Sequence, residues 1–295
     1  MRLAWVQWQQ PTYLLKLATY AHRVRADLRL IDAMHAKTLK ALPCQRAELR
    51  NLEGVPVQRW RFGLSQADIS EQMQELDSKG KQWRHDKVFI ECFTTFWWEG
   101  AVEMVAQVRR EFPAAAAVLV GVHAELAADH AKRCTEPDYL QPRLWPQVNE
   151  QIPDLAGYGQ KHNFACVSLA GSQRSAGKVL AEVRALVKEQ GVYHCAFSDE
   201  DIAAQDTKNL YLEVMVQLAS KPLKVRFCAF GNIKAHDLLE TRELASLIRA
   251  AGYKQINFAD GATFVRNAGC NSPMISGQRY CIYEHCVLTL SCTVP

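Results

Sequence analysis

The feature that most constrains the fold is a repeated alternation of short apolar runs with longer segments of helical periodicity. Runs such as "KVFIECF" and "AAAVLVG" have the length and continuous apolar character of strands that are buried on both faces. Segments between them, such as "EGAVEMVAQVRREF", place apolar residues on one helical face and charges on the other. This alternation predicts an α/β fold in which parallel sheets are covered by helices.

The alternation falls into two blocks separated by a proline-rich stretch. Four predicted strands and their helices occupy residues 1–133, for which we predict a flavodoxin-like, doubly wound domain. Residues 134–160 contain four prolines and no sustained period, which is typical of a linker. Four further strands with helices between them follow in residues 161–262 and predict a partial (β/α) barrel. The last segment, 263–295, is an irregular tail with four of the ten cysteines.

Composition narrows the functional classes. The chain has 295 residues, of which 48% are hydrophobic and 22% charged, as in ordinary globular proteins. The net charge of +4 comes from 35 Lys and Arg spread along the chain, which does not favour nucleic-acid binding. No run of apolar residues is long enough for a transmembrane helix or a signal peptide. We therefore expect a cytoplasmic protein with no membrane partner, whose cysteines are thiols or metal ligands and whose partners are small molecules.

Several stretches resemble one known family. The segments "PTYLLKLATYAHRVRADLRLIDA", "FTTFWWEGAVEMVAQVRREFP" and "VLVGVHAEL" are similar to the first domain of cobalamin-dependent radical SAM enzymes. The segments "SAGKVLAEVRALVKEQGVYHCAFSDEDI", "VRFCAFGNIKA" and "LASLIRAAGYKQINFA" are similar to the start of that family's barrel. Matching segments lie within residues 2–260. The resemblance implies a cobalamin-binding domain followed by a barrel of radical SAM type.

The resemblance also implies an iron–sulfur cluster and S-adenosylmethionine, but the chain departs from the family here. Members hold the cluster with three cysteines spaced C-x-x-x-C-x-x-C after the first barrel strand, because soft thiolates suit iron. This chain has "FACVSLAGS" at that place, with Cys166 as its single metal-ligand candidate. We interpret Cys166 as the remnant of a cluster loop.

Two interpretations are open for the cysteine-rich tail. Its soft ligands are Cys270, Cys281, His285, Cys286 and Cys292. Their spacing matches no common zinc or iron–sulfur pattern. Either they form an unusual metal site, or the tail comes from a truncated or frame-shifted reading of a longer gene.

The cobalamin candidates follow the predicted strands of the first domain, at the edge where ligands of such sheets bind. No D-x-H-x-x-G motif is present, and the resemblance does not require one. "TTFWW" offers hydroxyls for corrin amides and aromatic rings for its apolar face, or else packs between the domains. His123 faces the ligand, or is a rim histidine in contact with solvent. The complete candidate set is Gln9, Gln10, Thr94, Thr95, Phe96, Trp97, Gly121, Val122 and His123.

An acidic segment provides the catalytic candidates. In "SDEDI", the carboxylates Asp199, Glu200 and Asp201 follow the second predicted barrel strand, where barrel enzymes place catalytic groups. They could bind the amino group of S-adenosylmethionine or transfer protons. Alternatively they are a solvated cluster at the start of a helix.

Three functional interpretations result. The first is a degenerate or truncated member of the cobalamin-binding radical SAM family, related to methyltransferases and rearrangement enzymes and lacking a complete iron–sulfur site. The second is a non-catalytic corrinoid-binding protein. The third is an unrelated two-domain α/β enzyme that uses the carboxylates of residues 199–201.

Overall fold

A computed structural model gives the architecture of most of the chain. It describes residues 10–24, 28–33, 44–52, 55–78, 86–92, 98–142, 145–158, 163–169, 174–197, 199, 208–233 and 242–258. The chain divides into two compact units, with the boundary between Gly157 and Tyr158. Each unit contains a small parallel sheet with helices, which confirms the predicted α/β class.

The first unit is built around a three-stranded parallel sheet in the order β3-β4-β5. The strands of the first unit are β1 (Cys44–Leu52), β2 (Val55–Phe62), β3 (Lys87–Glu91), β4 (Ala116–Val120) and β5 (Tyr139–Gln141). Its helices are α1 (Thr12–Arg23), α2 (Gln66–Ser78), α3 (Trp98–Glu111), α4 (Val122–Leu126), α5 (Ala128–Thr135) and α6 (Pro146–Asn149). A 3-10 turn at Leu155–Tyr158 spans the boundary between the two units. Strands β1 and β2 form a separate antiparallel pair.

Both faces of this sheet are buried, because alternate strand residues enter two different cores. Val88 and Ile90 pack with residues of α2, α3 and α5, among them Met73 and Met104. Phe89 packs on the opposite face with residues of α1 and α6. Burial on both sides explains why these strands are continuously apolar in the sequence.

The second unit repeats a strand–helix alternation with all strands parallel. Its elements are β6 (Phe164–Val167), α7 (Ala176–Glu189), β7 (His194–Phe197), α8 (Lys208–Ser220), β8 (Arg226–Ile233), α9 (Arg242–Ala250) and β9 (Tyr253–Phe258). The sheet order is β6-β7-β8-β9, the same as the chain order. Helix α7 begins where Ser175 caps it, with the Ser175 hydroxyl accepting from the Lys178 amide at 3.3 Å.

Three regions differ from the sequence predictions. The alternating segment "DLRLID" predicts a strand, but residues 28–33 form neither strand nor helix. Leu28 and Leu30 nevertheless pack in one core on either side of exposed Arg29, which produces the alternation, while Ile31 belongs to the other core. The stretch from Ala33 to Gly80 is polar before its predicted helix, and the sequence predicts no strand there. The structure has the strands β1 and β2 in this stretch. The predicted linker, 134–160, contributes β5, which pairs in parallel with β4.

The first predicted strand, residues 2–7, and the tail, residues 263–295, lie outside the described residues. Within the described ranges, no helix combines the length and the apolar character needed to cross a bilayer.

Candidate functional site

The carboxyl ends of β3 and β4 meet at one edge of the first sheet. Strand β3 runs in register with β4, with Glu91 opposite Val120. The Cys92 amide donates to the Val120 carbonyl at 3.0 Å, and the Cys92 carbonyl accepts from the His123 amide at 3.2 Å. We call this group of residues, Glu91, Cys92, Gly121, Val122 and His123, the first edge.

Gly121 brings two backbone segments of the first edge close together. Its φ angle is +92°, a left-handed conformation that residues with a side chain rarely adopt. A Cβ atom at this position would lie 2.8 Å from the Cys92 carbonyl oxygen and 3.1 Å from Cγ of Glu91. Only glycine therefore fits, and the chain turns directly after β4 against the segment that follows β3. Val122, the next residue, is half-buried.

Glu91 is a buried carboxyl group at the end of β3. Its side chain is 4% exposed, and Oε2 accepts a hydrogen bond from the Leu14 amide in the first turn of α1 at 3.1 Å. Burial raises the pKa of Glu91 to about 8, although the amides of Leu14 and Tyr13 lower it and nearby Asp32 adds to the rise. Glu91 is therefore protonated at neutral pH. The sequence signal was present, because an acidic residue inside a buried strand is unusual.

His123 lies at the start of α4 and is completely buried, so the interpretation as a solvent-exposed rim histidine is wrong. Its Nε2 lies 3.1 Å from Nδ1 of His130, a hydrogen-bond distance. Nε2 of His130 lies 3.5 Å from the Cys134 sulfur. Burial, and secondarily His130, lower the pKa of His123 to about 4, so its ring is neutral at physiological pH. Nδ1 of His123 is buried with no hydrogen-bond partner among the described residues.

Of the other predicted cobalamin contacts, one is described. Gln10 is 1% exposed, and its carbonyl oxygen accepts from the amide and the hydroxyl of Thr12 at 2.7 and 3.2 Å. This carbonyl therefore supports the start of α1. Gln9, Thr94, Thr95, Phe96 and Trp97 lie outside the described residues.

The corresponding edge of the second sheet carries the predicted catalytic segment. Asp199 follows β7, and its Oδ2 accepts from the Leu169 amide at 2.7 Å. Its Oδ1 accepts from the Ser168 hydroxyl at 3.1 Å. Both carboxylate oxygens thus hold the segment that follows β6. Glu200 and Asp201 lie outside the described residues.

A buried ion pair contacts the same segment. Arg174 donates to the Ser168 carbonyl at 2.6 Å and forms a hydrogen-bonded salt bridge with Glu182 on α7. The Arg174 and Glu182 side chains are 6% and 4% exposed. We call Ser168, Leu169, Arg174, Glu182 and Asp199 the second edge. Sequence reasoning identified Asp199 but missed the arginine and its partner.

Cys166 lies inside β6 rather than in a loop. Its thiol is buried, and the residue pairs laterally with Ala196, which pairs in turn with Cys228 on β8. Cys166 and Cys228 are therefore two strand spacings apart, roughly 9–10 Å. Cys195 belongs to the opposite face of β7, because successive strand residues alternate, and burial raises the pKa of its thiol. Across the described part of the chain, no three Cys, His, Asp or Glu side chains are arranged to hold a metal ion.

A shallow cavity of about 400 Å³ lies at the opposite, amino end of β7 and β8. It is lined by Tyr193, Leu223, Lys224, Val225 and Arg226. None of the predicted site residues contributes to it.

Comparison with known proteins adds no identification. No protein-family model, no curated protein and no solved structure matches this chain.

Proposed function

We propose that the chain is a corrinoid-binding protein related to the cobalamin-dependent radical SAM family, in which the iron–sulfur site has been lost. The order of elements supports this proposal. The parallel sheet of the first unit is covered on both faces, which is compatible with a flavodoxin-like domain. The second unit has four parallel strands in chain order with helices between them, which is compatible with a partial barrel.

The observation that carries the proposal is the compact, uncharged first edge, in which Val122 is the part-exposed residue. Ligands of open α/β sheets bind outside the carboxyl ends of the strands. Gly121 lets the chain turn within van der Waals distance of the Cys92 carbonyl, and half-buried Val122 follows it at the edge where a ligand would bind. Protonated Glu91 adds no negative charge beneath that surface. An uncharged, amide-bearing corrin edge is compatible with such a site.

The residues present fit cobalamin bound without a histidine ligand to cobalt. His123 is buried, and its Nε2 is engaged with His130, so we assign it no bond to the metal. Gly121 and Val122 would contact the corrinoid, with Gln10 supporting the neighbouring start of α1. Bound cobalamin would supply a cobalt centre able to carry a methyl group.

Among the residues that the structure describes, the cysteines do not fit an iron–sulfur cluster. Cys166 is buried within a strand, and Cys228 is two strands away. The sequence between Cys166 and the start of α7 contains no second cysteine. We therefore derive no radical step for this chain. Its many thiols favour the reducing cytoplasm as its location.

The competing enzyme hypothesis depends on the acidic segment after β7. Asp199 already accepts two hydrogen bonds that hold the segment after β6, which favours a positioning role over proton transfer. We therefore rank this hypothesis below corrinoid binding.

Anaerobic reconstitution with hydroxocobalamin, iron and sulfide tests the proposal. After desalting, we expect about one cobalt per chain and no stoichiometric iron. About four irons per chain would show that other cysteines, such as those of the tail, complete a cluster. Absence of bound cobalt would refute corrinoid binding.

A further inference from the structure

Cys134, His130 and His123 form a continuous row of contacts that corrinoid binding does not use. We call them the thiol–imidazole row. His130 and Cys134 are four residues apart on α5 and therefore share one face of the helix. The Cys134 sulfur lies 3.5 Å from Nε2 of His130, whose Nδ1 lies 3.1 Å from Nε2 of His123.

Two aromatic contacts fix the orientation of the middle ring. The Trp98 ring packs edge-on against His130, with centroids 5.3 Å apart and an interplanar angle of 88°. The His123 ring contacts His130 at 5.4 Å and 61°. His123 is fully buried, whereas His130 and Cys134 are only partly buried. The sulfur end of the row is therefore the end accessible to a reagent.

The thiol and the two imidazoles have the same arrangement as the groups of an activated nucleophile. Such sites place a base within reach of the nucleophile and a third group that orients the base. His123 stays neutral, because burial lowers its pKa to about 4. Its Nε2 can then accept from Nδ1–H of His130, which leaves Nε2 of His130 available for the thiol proton.

We propose that Cys134 is a nucleophilic thiol that undergoes exchange with low-molecular-weight disulfides, with His130 as its base and His123 as the residue that positions His130. The thiol proton moves to Nε2 of His130, and the sulfur attacks one sulfur of the disulfide. A new S–S bond forms as the old one breaks. The departing thiolate takes the proton from His130, so the products are a mixed disulfide at Cys134 and one free thiol.

The expected activation is moderate. When His123 accepts at Nε2, its single proton lies on Nδ1, which is buried with no hydrogen-bond partner among the described residues. A buried unpaired N–H opposes this arrangement. We therefore expect a rate gain of roughly tenfold at neutral pH, below the range of 10²–10⁴ that is usual for a general base.

The test compares each cysteine in the native chain with the same cysteine in the guanidinium-unfolded chain. The reagent is 4,4′-dithiodipyridine, an uncharged disulfide, and acid-quenched samples are quantified by peptide mass spectrometry. Folding slows the reaction of an ordinary part-buried thiol. Cys134 should instead react roughly tenfold faster in the native chain than in the unfolded chain.

Substitutions assign the effect to the row. His130→Gln should bring the native rate of Cys134 below its unfolded rate, while the same change at exposed His22 should leave it unaltered. Buried Cys92 of the same unit serves as the folding control, since it stays protected as long as the unit is folded. A native rate of Cys134 below its unfolded rate in the wild type would overturn the proposal. An unchanged rate in His130→Gln would do the same. Neither result bears on corrinoid binding, because no cobalamin is present.

Discussion

Ionisable side chains have different environments at the carboxyl edges of the two sheets. At the first edge, Glu91 and His123 are buried and electrically neutral at physiological pH. At the second edge, Asp199 accepts two hydrogen bonds, and Arg174 and Glu182 form a buried ion pair. The strand ends of one unit thus carry uncharged groups, and those of the other carry a network of paired polar groups.

Under the proposed function, the first edge would contact the corrinoid, whereas the polar atoms of the second edge are engaged in contacts within the protein. The second edge uses its polar atoms to hold the segment after β6. The first edge buries its ionisable groups, and Gly121 packs closely against the Cys92 carbonyl.

The largest expected effect comes from breaking the ion pair of the second edge. Arg174→Met leaves the buried Glu182 carboxylate without its cation, which should lower the free energy of unfolding by about 3–5 kcal/mol. Urea titration of the second unit, followed by hydrogen exchange of α7 amides, measures this loss. The double variant Arg174→Met/Glu182→Met should recover most of the stability. A double variant as unstable as the single one would contradict the paired arrangement.

A smaller loss should follow from adding a side chain at the first edge, where two backbone segments are in close contact. Gly121→Ala places a Cβ against the Cys92 carbonyl in a left-handed conformation, at an expected cost of about 2 kcal/mol. Gly157→Ala in the same unit is the matched control, since its Cβ would meet nothing closer than 3.7 Å. Thermal or urea unfolding of both variants gives the comparison. Equal stability would show that the close approach at Gly121 is not real.

Glu91 should make the first unit progressively less stable as the pH rises from about 4.5 to about 8. Its pKa is about 8 in the folded chain and 4.5 as the ordinary value, so between these values the folded chain holds the extra proton. The free energy of unfolding then falls as pH rises through this window, by up to about 1.4 kcal/mol per pH unit. Glu91→Gln keeps an acceptor for the Leu14 amide and should remove this slope. Glu125→Gln, at an exposed site of the same unit, should retain it. A wild type with the same slope as Glu91→Gln would contradict a buried, protonated Glu91.

The smallest expected effect is that of Asp199→Asn. The amide keeps one acceptor oxygen for either the Ser168 hydroxyl or the Leu169 amide and loses the other bond, at a cost of about 1 kcal/mol. Amide hydrogen exchange at Leu169 reports the change directly. Unaltered exchange would show that Asp199 does not hold this segment.

Much of the fold could be predicted from the sequence, because most elements have a strong period. The strands β3 and β4 and the helices α3 and α7 lie within one or two residues of the predicted segments. The β1–β2 pair was missed because its residues are of mixed polarity and give no clear alternation. β5 was missed because it has only three residues and lies among prolines.

The site contacts were harder to predict from the sequence than the fold, because they join residues that are distant in the sequence. Glu91 could have been found, since a charged residue inside an apolar strand requires an explanation. The bond from the Leu14 amide to Glu91 spans 77 residues and has no sequence signal. The link from His123 to His130 crosses the break between α4 and α5, whose position helical periodicity does not predict.

The most direct test of the contrast between the edges is the equilibrium binding of hydroxocobalamin to the wild type, to Val122→Glu and to Asp199→Asn, with circular dichroism as the folding check. We predict that the wild type and Asp199→Asn bind with the same affinity. Val122→Glu should bind at least roughly tenfold more weakly, because a carboxylate at the first edge would have to be desolvated. Absence of binding by the wild type would contradict the account. So would binding that is weakened by Asp199→Asn and unaffected by Val122→Glu.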